Sequence, residues 1–151
     1  MAELNKAAEP APPAGYFARL RGMLGVSRIR TGDELAAMVE KRLPVTTIKS
    51  LVRGGLSDAE VYQLIVPRRT LAHRIARHQA LSKDESDKAV RVARITAMAE
   101  QVFGEPERAW RWLRKAQERF GGKAPVDMLA TEAGARLVEE MLVQIDDGIF
   151  A

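Results

Sequence analysis

The feature that most constrains this chain is a motif that recurs three times: a Ser or Thr followed three residues later by Glu, just ahead of a run of periodic apolar residues. It occurs at Thr31/Glu34, Ser57/Glu60 and Ser82/Glu85. In this arrangement the hydroxyl accepts from an unpaired amide of the first helical turn while the carboxylate reaches back to the amide of the capping residue. Each motif therefore marks a helix start, and three of them leave little room for strands.

Other punctuation agrees. An amphipathic piece from Tyr16 to Leu24 is stopped by Gly25, and Pro44 suits the first turn of a helix that ends at Gly54-Gly55. Pro67 starts a helix running to about Gln79. The longest helix, opened by Ser82, continues through Val92, Ile95, Met98, Ala99, Val102 and Phe103 to Gly104. Pro106 starts a helix holding Trp110, Trp112 and Leu113, and a Gly121-Gly122 turn leads to Pro125, Met128 and Leu129. Thr131 caps a last helix with Leu137, Val138, Met141, Leu142 and Ile145. No segment alternates with period two over the length of a strand. The expected fold is all-α. A helix-turn-helix N-terminal domain is joined by the long helix to a small helical C-terminal domain. The expected divisions are a disordered tail over 1–14, a helix-turn-helix and dimerisation domain over 15–96, and a second domain over 97–151.

Charge is unevenly spread. Between Arg28 and Arg94 there are 14 Lys/Arg against 8 Asp/Glu, whereas Leu137 to Ala151 holds four acids and no base. Such a split fits either two different partners or two solvated faces. Hydrophobic residues at 46% support a folded core, and no apolar run approaches the roughly 20 residues that span a membrane. Cysteine is absent and the N-terminus lacks a secretory pattern, so the expected location is the cytoplasm.

The segment from Leu56 to Gln79 reads as helix, short turn and basic helix, the pattern of a helix-turn-helix. On a helical wheel Arg69, Thr70, His73, Arg74 and Arg77 fall on one side, with Leu71, Ala72, Ile75 and Ala76 on the other. Arg68 alone breaks the division. Arg chelates the acceptor edge of guanine, and Arg, Thr and His all bind phosphate, so Arg68, Arg69, Thr70, His73, Arg74 and Arg77 are the candidate DNA contacts. The competing reading is a solvated cationic face, or a degenerate motif that serves dimerisation only.

At the other end, Ile145-Asp146-Asp147-Gly148-Ile149-Phe150-Ala151 places two large apolar residues beside two carboxylates at a chain terminus. That is either a docking peptide, with the apolar pair as anchor and the acids meeting arginines, or a tip folded into its own core. Trp110 and Trp112, two residues apart, do not share a helical face, so one is expected in the core and the other at the surface or an interface.

Nothing supports catalysis. The two histidines, His73 and His78, are about 140° apart on a helix, too far to share a metal as a four-residue spacing would. There is no phosphate-binding glycine loop, and neighbouring carboxylates such as Glu139-Glu140 diverge on a helix. No catalytic residue, metal site or cofactor is expected.

The C-terminal third carries an ordered set of signatures: Val102-Phe103-Gly104, then Trp112-Leu113. Phe120, Gly121, Gly122, Pro125, Asp127 and Leu129 follow, then Thr131, Glu132, Gly134 and Ala135, and finally Ile145 with Gly148. From about residue 97 to 148 this resembles the toxin-binding domain of the Xre/MbcA/ParS antitoxins. Pro67-Arg68-Arg69-Thr70-Leu71 and Leu81-Ser82 with Glu85-Ser86-Asp87 resemble the Xre-type helix-turn-helix of that family. One departure is Lys115 to Arg119, where family members often have an Asn-Pro turn and where this chain could extend its helix.

The resemblance implies an antitoxin whose partner is a RES-domain toxin, an enzyme that consumes NAD or transfers its ADP-ribose. It further implies that the C-terminal segment occludes the toxin's active site, that the chain forms a homodimer, and that it binds operator DNA. Carried over, Ile145, Asp146, Asp147, Gly148, Ile149, Phe150 and Ala151 would form the plug, with Trp112 an added toxin contact. The alternative is a stand-alone helix-turn-helix regulator whose C-terminal domain only dimerises.

Overall fold

In a computed structural model, residues 15–149 are described; the expected tail over 1–14 and the tip residues Phe150 and Ala151 lie outside them. Among the described residues there are nine α-helices, one 3-10 turn and no strand, so the chain is all-α. The helices are α1 (Tyr16–Leu24), α2 (Gly32–Glu40), α3 (Thr46–Arg53), α4 (Asp58–Leu64), α5 (Arg68–Ala76), α6 (Lys83–Phe103), α7 (Pro106–Leu113), α8 (Pro125–Met128) and α9 (Glu132–Asp146).

Two of the three Ser/Thr-Glu motifs close as full reciprocal boxes, at Ser57/Glu60 and Ser82/Glu85. The third closes by half. Thr31 accepts from the Glu34 amide, but the Glu34 carboxylate takes the amide of Arg30 rather than that of Thr31. Pro44 sits two residues ahead of α3. The helix after Pro67 ends at Ala76 rather than near Gln79, because His78 takes a positive φ of 51°. α7 stops at Leu113, and residues 115–119 do not prolong it: Gln117 is extended and Glu118–Phe120 forms the 3-10 turn.

α6 is the hub. Ala89, Val90, Val92, Ala93, Ile95, Thr96, Ala97 and Ala99 are buried along it, and none of its residues from Lys88 to Phe103 is exposed, as in a helix enclosed by others. Its alanines let α1, α7 and α9 approach closely. Arg91 and Arg94 on α6 reach Glu132 and Glu139 on α9, at 3.0 and 3.7 Å. One continuous hydrophobic cluster runs from Leu20 on α1 to Leu142 on α9. The expected division at 96/97 therefore falls inside α6, between two buried residues.

Candidate functional site

The helix-turn-helix is built from α4 and α5. α4 buries Val61 and Leu64, the connection buries Ile65 and Val66, and Pro67 opens α5. Arg68, Arg69, His73 and Arg77 are exposed and Thr70 is half-buried. Arg74 is not on the outer face. Its Nε and one terminal nitrogen donate to the two Glu85 oxygens at 2.6 and 2.9 Å. The expected apolar face is likewise corrected: only Leu71 is buried, while Ala72 and Ala76 are exposed and Ile75 is 51% exposed. The reason is geometric. Leu71 and Arg74 lie three residues apart and so share a face, and a two-pronged ion pair to a nearly buried carboxylate overrides a hydrophobicity ranking.

Glu85 has two roles, accepting also from the Ser82 amide at 2.9 Å as the carboxylate of the α6 capping box. Burial pushes its carboxyl upward, but the bonds from Arg74 and Ser82 outweigh that and hold it below the usual value; Arg74 is raised in turn.

A second arrangement, not foreseen from the sequence, joins α7 to the turn before α4. The Trp110 indole Nε1 donates to the Gly54 carbonyl at 2.8 Å. Arg114 lies over the same ring, 4.5 Å from its centroid, and donates to the Gly55 carbonyl and to Glu60, both at 2.7 Å. The cleft beside it, about 590 Å³, is lined by Arg53, Pro106, Trp110 and Arg111 among others. Trp110 is thus the core tryptophan. Its signal was the spacing of Ala109, Trp110 and Leu113 on one helical face. Trp112 is half-buried against Phe103, with ring centroids 5.4 Å apart.

At the C-terminus, Thr131 caps α9 through the Gly134 amide. α9 ends in a left-handed turn: Gly148 has φ 76°, its amide donates to the Ile145 carbonyl, and the Ile149 amide donates to the Gln144 carbonyl. These two bonds form the Schellman motif, which fixes how the chain leaves the helix. Ile145 is half-buried, Asp146, Asp147 and Gly148 are exposed, and Ile149 is 64% exposed. Ile149 is therefore not folded into the core. The expected contacts at Phe150 and Ala151 lie outside the described residues.

Among the described residues, no group of three or more His, Cys, Asp or Glu could hold a metal ion, and no helix is long and apolar enough to cross a membrane.

Residues 34–94 match the family model of the antitoxin Xre-like helix-turn-helix domain, and residues 98–148 match that of the antitoxin Xre/MbcA/ParS C-terminal toxin-binding domain. The chain is 43% identical over 133 residues to Antitoxin Xre of Pseudomonas putida, covering 88% of this chain and 84% of that protein. It is 28% identical to the Prs ADP-ribosylating antitoxin of Sphingobium sp., covering 100% of each. Antitoxin Xre of Photorhabdus laumondii is 25% identical over 79% of this chain and 82% of its own length.

Proposed function

The chain belongs to the Xre antitoxin family, and from that premise we propose that it neutralises a RES-domain toxin by filling the toxin's active site with residues 145–151. The observation that carries this reading is the end of α9. A glycine-terminated turn projects Ile149 into solvent directly after two exposed carboxylates, an apolar anchor with acids beside it. A pocket that accepts the pyrophosphate of NAD calls for cationic groups such as arginine, which pairs with carboxylates like Asp146 and Asp147 in two-pronged fashion. The name of the Sphingobium relative couples an antitoxin with ADP-ribosylation, which favours a partner that uses NAD. Inhibition of this kind is occlusion, with no chemistry supplied by this chain. In the same reading, Trp112, held against Phe103, lies on the toxin-facing side.

The second half of the proposal is autoregulation by DNA binding through α5, with Arg68, Arg69, His73 and Arg77 as the exposed cations and Thr70 beside them. It includes self-association as a homodimer. The division into an N-terminal unit over 15–96 and a toxin-binding unit over 97–151 stays a functional one, since the two share a core.

The decisive test is co-expression with the enzyme encoded beside this chain, followed by purification and an NAD-consumption assay. The full-length chain is compared with one ended after Gln144. The expected result is a stable complex and suppressed NAD loss for the full-length chain, and restored NAD loss with the truncation. If both versions suppress equally, residues 145–151 are not the plug; if neither binds, the toxin assignment falls.

A further inference from the structure

α5 is loosely held. It is nine residues long, its N-cap Pro67 supplies no side-chain cap, and no acid sits in its first turn. Leu71 is the one side chain it buries. A helix with a single apolar anchor is free to roll about that anchor, and a rolling helix presents no fixed set of side chains to a groove. The Arg74–Glu85 bridge supplies the missing constraint. The Arg74 side chain is 22% exposed and that of Glu85 10%, so water competes little for either. Two parallel bonds fix the guanidinium plane as well as its distance. Glu85 is itself fixed, because the same oxygen that takes Arg74 Nε also takes the Ser82 amide at the start of α6.

We propose that Arg74 is a positioning residue of α5 and not a DNA contact: its bridge to Glu85 ties the roll of α5 to the N-terminus of α6. With Leu71 and Arg74 turned inward, 100° per residue puts Arg69 and His73 roughly opposite, pointing straight out. These two, four residues apart on one face, are then the principal readers of base edges. This inference rests on the reading of α5 as the DNA-binding helix.

The test uses the full chain and a duplex that the wild-type protein itself selects from a random-sequence pool. Binding is measured by fluorescence anisotropy over a range of salt, with a scrambled duplex alongside. Glu85→Gln is the cleanest variant, since glutamine still closes a capping box but cannot hold the guanidinium as a carboxylate does. Arg74→Met keeps the aliphatic stem, and Arg69→Met is the direct-contact control. The expected result is a loss of about tenfold on the selected duplex for both E85Q and R74M, the size of a lost charge-assisted bond. Binding of E85Q to the scrambled duplex stays unchanged. The slope of log affinity against log salt also stays at the wild-type value for E85Q and R74M, whereas R69M lowers it by about 0.9. In hydrogen exchange without DNA, E85Q loosens the α5 amides by more than those of α4 and α6.

Tighter binding by E85Q would overturn the proposal, because it would mean that Glu85 withholds Arg74 from DNA. A reduced salt slope for R74M, or unchanged exchange of α5 in E85Q, would do the same. Should E85Q not fold, Arg74→Lys, which keeps the charge but not the fork, takes its place with the same outcomes. A wild-type chain that selects no sequence overturns the DNA reading itself, and this proposal with it. That result is distinct from the others, in which the wild type binds and only the variants disagree.

Discussion

At the scale of single residues, two glycines with positive φ separate local strain from packing. Gly121 (φ 66°) turns the chain after the 3-10 segment, and a Cβ there meets nothing within 4 Å. Gly55 (φ 119°) lies under Trp110, and a Cβ there would overlap the indole ring. Both positions resist an L side chain through backbone conformation alone, at about 1–2 kcal/mol. Gly55→Ala must also displace a tryptophan whose Nε1 is bonded to Gly54 and whose face carries Arg114, which adds about 1–3 kcal/mol of overpacking. Urea unfolding should therefore show Gly55→Ala clearly more destabilised than Gly121→Ala. Equal losses would mean that the indole moves aside without cost and that the α4–α7 seam is soft. The sequence did mark Gly54-Gly55, but as a helix stop. That the pair is also a landing surface for Trp110, more than fifty residues away, has no local signature.

At the scale of elements, what the sequence revealed depended on whether each signal was local. Capping is local: the hydroxyl and its amide partner are three residues apart, and all three helix starts were legible at Thr31, Ser57 and Ser82. The prediction that follows is graded. Ser82→Ala loses the hydroxyl of a complete, partly buried box and should cost about 1–2 kcal/mol, while Thr31→Ala, at an exposed half-closed box, should cost about 0.5 kcal/mol. Thermal or urea unfolding of the two variants checks the order, and a larger loss at Thr31 would contradict it. The face of α5 was not legible in this way. A wheel sorts residues by polarity, so it put Arg74 outside and Ile75 inside. The deciding partner, Glu85, lies eleven residues on and already had a visible job as a capping residue. Conversely, Arg69 and His73 do lie outward as the wheel has them, and among the described residues no buried carboxylate draws either inward. The exposed acids at 146 and 147 were readable for the same reason, since they end a helix whose apolar face is complete at Ile145.

At the scale of the whole molecule, three glutamates tie elements together, and they respond to acid in opposite senses. Glu60 receives Arg114 across the α4–α7 seam and Glu85 receives Arg74 across the α5–α6 contact. Burial pushes each carboxyl upward, but the bonds each accepts outweigh burial, so both lie below their ordinary value. Glu100, near the C-terminal end of α6, is buried and, among the described residues, takes Arg19 at 3.1 Å as its one partner. Burial dominates there and raises it. A lowered carboxyl contributes stability that is present above the unfolded value, about 4.3 for glutamate, and is lost as pH falls through the folded value. A raised one contributes stability present below the unfolded value, which is lost as pH rises through the folded value. Wild type should therefore keep an advantage over Glu60→Gln and Glu85→Gln that shrinks on acidification from pH 6 to about pH 3. Against Glu100→Gln the sign reverses, and wild type should compare better near pH 4 than near pH 7. Urea midpoints across that range measure all three differences on one footing. A Glu100→Gln difference that stays flat with pH would mean that Arg19 fully compensates its burial. The position of these groups gives the result a wider bearing. Glu85 and Phe103 are separated by about 27 Å of α6 axis, the first holding the proposed DNA helix and the second holding Trp112 on the proposed toxin side. α9 advances in the same sense as α6, from Glu132 at Arg91 to Glu139 at Arg94, so its acidic end is carried away from α5. With the two proposed surfaces at opposite ends of one buried helix, acid acts on them through different carboxylates, and loss of the α5 tether need not disturb the C-terminal segment.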